Sequence, residues 1–238
     1  MRDTSIGVIL SGAGYLDGSE ISEAVLVLLA LSTAGAEVHI YAPDIKLVEV
    51  DHLTKLPTGA ERSVLKESAR IARSRVTDLA RAKGTDHEGW IIPGGFGAAK
   101  NLSDFASKGA SGTVNKEVNR VVREAFAARI PVGACCIAPV VVGLIAKGVS
   151  TKLNLTVGTD KETARTLQHM GHTHVDAAVT DIVLDRDRKV CTTPAYMYDD
   201  ADIAAVSVGI TKMVQQVVDW SREELSAPRM GPPPARAV

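Results

Sequence analysis

The stretch Pro131-Val132-Gly133-Ala134-Cys135-Cys136-Ile137-Ala138-Pro139 decides how this chain is read. An apolar run ends in a cysteine, and a helix-compatible segment from Pro139 to Lys147 follows at once. That order, strand then nucleophile then helix, holds one residue in a cramped backbone conformation and pushes its side chain out above a sheet. A thiol at such a turn meets the free N–H groups and the positive pole of a helix N-terminus, both of which favour the thiolate. Cys136 is therefore a candidate for covalent chemistry. Read in isolation, it fits equally well as a small buried cysteine closing a core strand.

Outward from this turn, short apolar runs alternate with helix-length segments. Ser5–Leu10, Glu37–Ala42, Gly89–Pro93, Pro131–Cys135 and Leu153–Val157 read as strands. Ser19–Ala34, Glu61–Lys83, Val114–Ala128, Pro139–Lys147, Lys161–Met170 and Ala201–Glu224 read as helices. Asp181–Leu184 and Lys189–Thr193 are expected to pair as a hairpin across Asp185-Arg186-Asp187-Arg188. Apolar, β-branched strands alternating with helices predict an α/β fold, a doubly wound and mostly parallel sheet sandwiched by helices. No break in composition divides residues 1–225, which are expected to form one domain; residues 226–238, with Pro232-Pro233-Pro234, are expected to be a mobile tail. In such sheets ligands gather beyond the carboxyl ends of the strands. The turns Ser11–Ser22 and Gly94–Asn101 should therefore converge on Cys136.

Composition narrows the function classes. The chain has 238 residues, of which 45% are hydrophobic, enough for one large core. A formal net charge of -1 leaves no basic footprint for a nucleic-acid partner. The longest apolar run, Ala24 to Leu31, is too short to span a bilayer, and its apolarity on all sides predicts a buried helix. Three cysteines, two of them adjacent, make no disulfide framework and point to a reducing cytoplasm, with no targeting segment expected ahead of the first strand.

Several groups carry candidate chemistry. Gly12-Ala13-Gly14-Tyr15-Leu16-Asp17-Gly18 half-matches a dinucleotide fingerprint, but Asp17 stands where the third glycine should be and would repel a pyrophosphate. A tight strand-to-helix turn is the better reading, and no nucleotide or other cofactor is expected. Glu20 and Glu23, three residues apart, share one face at the start of the next helix. They serve as ordinary first-turn acids, or one of them faces the cysteine from an apolar site that raises its pKa. Gly94 and Gly95 let the backbone approach a ligand, and their N–H groups could join that of Ile137 in an oxyanion site, with Asn101 closing the same loop. His169, His172 and His174 straddle a helix C-terminus, where cations are favoured in any case, so no metal is expected. Cys135, next to Cys136, should point to the other side of its strand, into the core.

Taken together these segments resemble the enhancing-lycopene-biosynthesis (ElbB) family, within the PfpI/class I glutamine amidotransferase-like superfamily. The resemblance is carried by Ile6-Gly7-Val8-Ile9-Leu10-Ser11-Gly12, Asp17-Gly18-Ser19-Glu20-Ile21, Pro93-Gly94-Gly95-Phe96-Gly97-Ala98-Ala99-Lys100-Asn101-Leu102, Cys136-Ile137-Ala138-Pro139, Gly158-Thr159-Asp160 and Thr192-Thr193-Pro194-Ala195-Tyr196-Met197. It implies a flavodoxin-like sandwich with Cys136 at the elbow, paired with a glutamate of the first helix: Glu23, with Glu20 as the fallback. One departure matters. Amidotransferases of the superfamily carry a late His-x-Glu dyad, and here the corresponding place reads Thr192-Thr193-Pro194, without a histidine. Where other members place a histidine after the next strand, this chain has Asp160, which either holds a water or substrate hydroxyl or caps the following helix.

The resemblance further implies a cofactor-independent glyoxalase, a lyase-type enzyme that takes a small aldehyde substrate and turns glyoxal into glycolate through Cys136. A homodimer is expected as the default assembly of such sheets. The alternatives are a redox-responsive, non-catalytic cysteine protein and an amidotransferase-like subunit of an isoprenoid-related pathway.

Overall fold

Seven strands form the central sheet of the computed structural model, which describes residues 4–226; the tail from 227 onward lies outside the described residues. In chain order the elements begin with β1 (Ser5–Ile9), α1 (Ile21–Thr33), β2 (Glu37–Ala42), β3 (Lys46–Val50), β4 (Pro57–Ser63), α2 (Val64–Ile71) and β5 (Val76–Asp78). Then come β6 (Gly89–Ile92), α3 (Phe96–Lys100), α4 (Phe105–Lys108), α5 (Lys116–Ala127), β7 (Val132–Cys135) and α6 (Pro139–Lys147). The last are β8 (Asn154–Leu155), α7 (Lys161–His169), β9 (Thr173–His174), β10 (Val183–Asp185), β11 (Val190–Thr193) and α8 (Ile203–Ser226). The sheet order is β10-β11-β7-β6-β1-β2-β5, and every pairing is parallel except β10 with β11.

The expected doubly wound α/β sheet is therefore present. All residues of β1, β6, β7 and β11 are buried, as strands covered on both faces must be. Helices α1 and α8 pack together on the sheet, and α5 and α6 are packed neighbours. One continuous apolar cluster runs from Ile6 through Trp90 and Val140 to Trp220. The hairpin expected across residues 185–188 forms as β10–β11.

Two expectations fail. The helix expected over Glu61–Lys83 is three elements, β4, α2 and β5. Good helix formers fill the stretch, but Ser63 caps α2 by accepting the Lys66 N–H at 3.2 Å. The helix then ends where Arg73 (φ 50°) and Ser74 (φ 66°) turn left-handed and the Ser74 N–H closes back onto the Ala69 carbonyl at 2.8 Å. The β3–β4 hairpin was not expected at all, because β4 is exposed along most of its length and carries no alternating apolar pattern. The second failure is α1. It is not buried all round: Ile21, Val25 and Leu29, four residues apart, form an exposed stripe along the face turned away from the sheet.

Candidate active site

Cys136 follows the last residue of β7 with φ 57°, a left-handed conformation that non-glycine residues rarely adopt. The N–H of Cys136 donates to Thr193 O at 3.0 Å, which ties the turn to the end of β11. Pro139 then opens α6 at a position where its missing N–H costs nothing. The strand, elbow and helix read from the sequence are thus present. Cys136 is 8% exposed and lines a cavity of about 830 Å³.

Glu23 comes from the first turn of α1 and is fully buried beside the thiol. Its Oε2 accepts the Gly94 N–H at 3.0 Å, and its Oε1 accepts the Tyr196 N–H at 3.1 Å. The Cys136 thiol hydrogen-bonds to the same carboxyl, and Cys135 Sγ lies 3.7 Å from Oε2. Burial, with the nearby Glu20 charge assisting, pushes the Glu23 pKa up to about 7, against the hydrogen bonds that pull it down. The carboxyl–thiol pair read from the resemblance is thus brought together through Glu23. Glu20 instead caps α1, its Oε2 accepting the Glu23 N–H at 2.6 Å, while also lining the cavity.

The thiolate expected from the helix N-terminus is not favoured. Burial and the negative charge of Glu23 raise the Cys136 pKa well above its ordinary value, and the Gly95 and Ile137 N–H groups only partly oppose this. Those two N–H groups point at the Cys136 sulfur. The N–H of Gly94 is committed to Glu23 instead. Glycine is required at 94 because a Cβ there would overlap Cys136 Cβ and Glu23 Oε2. Gly95, at φ 92°, presses against the backbone of Ser19 and Glu20.

Other expected residues are placed differently. Asn101 lies outside the cavity lining, and its Nδ2 donates to the Ser11 and Asp17 carbonyls at 2.9 and 2.8 Å, stapling the first turn to α3. Asp160 caps α7, Oδ1 accepting the Thr163 N–H at 2.7 Å, and also lines the cavity. Asp17 is buried and paired with Arg62 of β4, which accounts for an acid in a glycine-rich turn without any nucleotide. His172 is buried between the Gly143 carbonyl and the Leu153 N–H, and His174 Nε2 faces the Val157 N–H. Among the described residues no histidine lines the cavity, and no group of three His, Cys, Asp or Glu side chains is set to hold a metal ion.

Sequence reasoning missed two contributors. Cys135 is in the core as expected, fully buried and outside the cavity lining, but its Sγ also reaches Glu23 Oε2 at 3.7 Å, because alternation holds only within a strand and the left-handed turn at Cys136 follows it. The Tyr196 N–H, the second donor to Glu23, is a backbone group in the Thr192–Met197 segment, and no side chain there announces it. A proline followed by a residue at φ 45° (Pro194-Ala195) is the local signal that the backbone turns toward the site there.

No protein-family model matches the chain. It is 44% identical over 225 residues to the rat ES1 protein homolog, mitochondrial, covering 90% of this chain and 83% of that protein. It is likewise 44% identical over 225 residues to the human glutamine amidotransferase-like class 1 domain-containing protein 3, mitochondrial, covering 90% and 82%. Among solved structures it resembles an isoprenoid biosynthesis protein with amidotransferase-like domain from Ehrlichia chaffeensis, with TM-score 0.85, 35% identity and 91% and 99% of the two chains covered. The fold alone is shared with glyoxalase III from Candida albicans, with TM-score 0.60, 11% identity and 90% and 97% covered. The cytoplasmic placement expected from the cysteines does not stand against relatives named as mitochondrial, because free thiols report a reducing compartment and not which one. Among the described residues no helix is long and apolar enough to cross a membrane. With 44% identity over nine-tenths of its length, the chain belongs to the ES1 family of glutamine amidotransferase-like class 1 domain proteins.

Proposed function

We propose that the protein is a cofactor-independent glyoxalase that converts small dicarbonyls to hydroxy acids through Cys136, the activity that the ElbB resemblance implies. The observation that carries this reading is a thiol sharing a hydrogen bond with a buried carboxyl near pKa 7, beneath two N–H donors and open to a cavity. A dicarbonyl is electrophilic enough to react with a thiol that is not held as thiolate.

The Cys136 thiol adds to one carbonyl carbon of glyoxal while its proton passes to Glu23, forming a hemithioacetal. The Gly95 and Ile137 N–H groups stabilise the oxyanion as it develops. Glu23, deprotonated again after giving its proton to that oxygen, removes the C–H proton of the hemithioacetal carbon. An enediol results, and its protonation at the neighbouring carbon gives the thioester of glycolate. Water then cleaves the C–S bond, releasing glycolate and restoring the thiol. One carbon is oxidised and the other reduced, so no external electron acceptor is required. A general base with a pKa near 7 suits both transfers at neutral pH.

A second reading, an amidotransferase-like subunit, draws on the name of the Ehrlichia relative, and the lack of a cavity histidine among the described residues weighs against glutamine hydrolysis. The redox-sensor alternative is weakened by the raised Cys136 pKa, since sensor thiols react as thiolates. The deciding test follows glyoxal loss and glycolate formation by the purified protein beside Cys136→Ala, without glutathione or added metal. Saturable turnover lost in the variant is the expected result. Equal slow consumption by both proteins sinks the reading, and ammonia release from glutamine in its place would favour the subunit.

A further inference from the structure

Glyoxal would occupy only a fraction of the cavity above Cys136. About 830 Å³ is room for a ligand of many more atoms. Part of the lining is apolar and aromatic, with Tyr15, Phe96, Tyr196 and Met197 offering flat or flexible surface to an organic body. Its charge is one-sided. Glu20, Asp160, Glu162, Asp199 and Asp200 line it against the single ammonium of Lys55. The chain as a whole has a formal net charge of -1, so this excess is local to the cavity. The ion pairs among the described residues use other carboxylates, which leaves these five without a cationic partner there. The Tyr196 hydroxyl registers the same field: its pKa is raised first by burial and then by the charges of Glu20 and Glu23.

A cleft lined by one sign of charge concentrates ligands of the opposite sign and repels like ones. We propose that this site takes carbonyl compounds bearing a cationic group, an ammonium or guanidinium set beyond a short apolar spacer from the reactive carbonyl, in preference to neutral or anionic ones. The Tyr15 and Tyr196 rings suit such a ligand, because a cation gains by lying over a ring face; the Phe96 ring already carries the Lys100 ammonium, 5.3 Å from its centroid. The proposal rests on the assignment of Cys136 as the nucleophile in the cavity, and it names the substrate class of that same site.

Two thiol reagents of matched size and opposite charge test it without requiring turnover. They are the ethyltrimethylammonium and the ethylsulfonate methanethiosulfonates, each forming a mixed disulfide on sulfur with release of methanesulfinate. Second-order rates on Cys136 are read by intact mass, with Cys136→Ala as the blank for Cys135 and Cys191. Each rate is divided by that reagent's rate with a small free thiol. The expected cation-to-anion ratio is about tenfold or more at low salt, falling toward one as high salt screens the field. The triple variant Glu162→Gln/Asp199→Asn/Asp200→Asn, all exposed positions, should lower that ratio by about threefold or more. A wild-type ratio near one overturns the proposal, as does a ratio untouched by the triple variant. Failure of the cationic reagent to modify Cys136 also overturns it, since the cavity would then admit no such ligand to the thiol. A high ratio in a protein that does not consume glyoxal would keep the cation preference and remove the glyoxalase reading, so the two fail separately.

Discussion

Burial holds the Glu23 carboxyl near pKa 7 instead of its ordinary 4.5, and the sign of that shift sets two outcomes. The folded state binds this proton more tightly than the unfolded state does. Its contribution to stability is therefore complete below about pH 4.5 and is lost as pH rises through about 7, a difference of roughly 3 kcal/mol. Between pH 5 and pH 8 the wild type should lose more stability, measured by urea midpoint, than Glu23→Gln. The absolute midpoints will differ as well, because a glutamine would turn an NH₂ group toward the N–H of either Gly94 or Tyr196. An equal pH dependence in the two proteins would show that the carboxyl is not held near 7. On turnover, Glu23→Gln should slow the glyoxal reaction by about 10²- to 10⁴-fold and abolish the rise of rate with pH through about 7. At the neighbouring residue, φ 57° is a strained conformation for any side chain with a Cβ. Cys136→Gly should accordingly be more stable to urea than Cys136→Ala by about 1 kcal/mol, both being inactive.

At the scale of elements, the β3–β4 hairpin is joined to the sheet's first turn largely through Arg62. That guanidinium pairs with Asp17 and reaches Glu67 at 2.7 Å and Glu49 at 3.2 Å, while Asp17 also accepts the Val50 N–H at 2.9 Å. Asp17 is 1% exposed, so removing its partner strands a buried charge. Arg62→Met should cost about 3 kcal/mol in global stability and expose the hairpin loop, residues 51–56, to protease cleavage at lower denaturant. Loss of less than a few tenths of that figure would mean that the hairpin is held by its backbone pairing alone. Lys55, in the same loop, lines the cavity, so loosening the hairpin should also raise KM more than it lowers kcat. None of this was visible in the sequence, because β4 pairs in the absence of an apolar alternation and Arg62 reads as one charge among many. The strands that lead into the site's three turns were legible for the opposite reason: β1, β6 and β7 are buried on both faces, and burial writes itself as continuous apolar runs.

At the scale of the molecule, the exposed α1 stripe of Ile21, Val25 and Leu29 leaves an apolar helix face open, with relative exposures of 50%, 48% and 59%. A homodimer pairing two-fold through this face would cover the stripe with its own copy. Light scattering should then give twice the chain mass for the wild type and the chain mass for Val25→Lys/Leu29→Lys. A monomeric wild type would remove the dimer altogether.

The sequence by itself determined the fold class, the elbow at Cys136, the glycine loop beneath it and the choice of Glu20 or Glu23 as partner, since each of these depends on local pattern and chain order. Only the tertiary structure decided between the two glutamates, committed Gly94 to Glu23 and withdrew Asn101 into structural hydrogen bonds. It also brought the buried Cys135 sulfur within reach of Glu23. The physical reason is common to all four: a hydrogen bond between residues 71 or 173 positions apart, as from Glu23 to Gly94 and Tyr196, exists only once the sheet has set its strand ends side by side. The pKa values that follow belong to the burial so created, which no stretch of sequence contains.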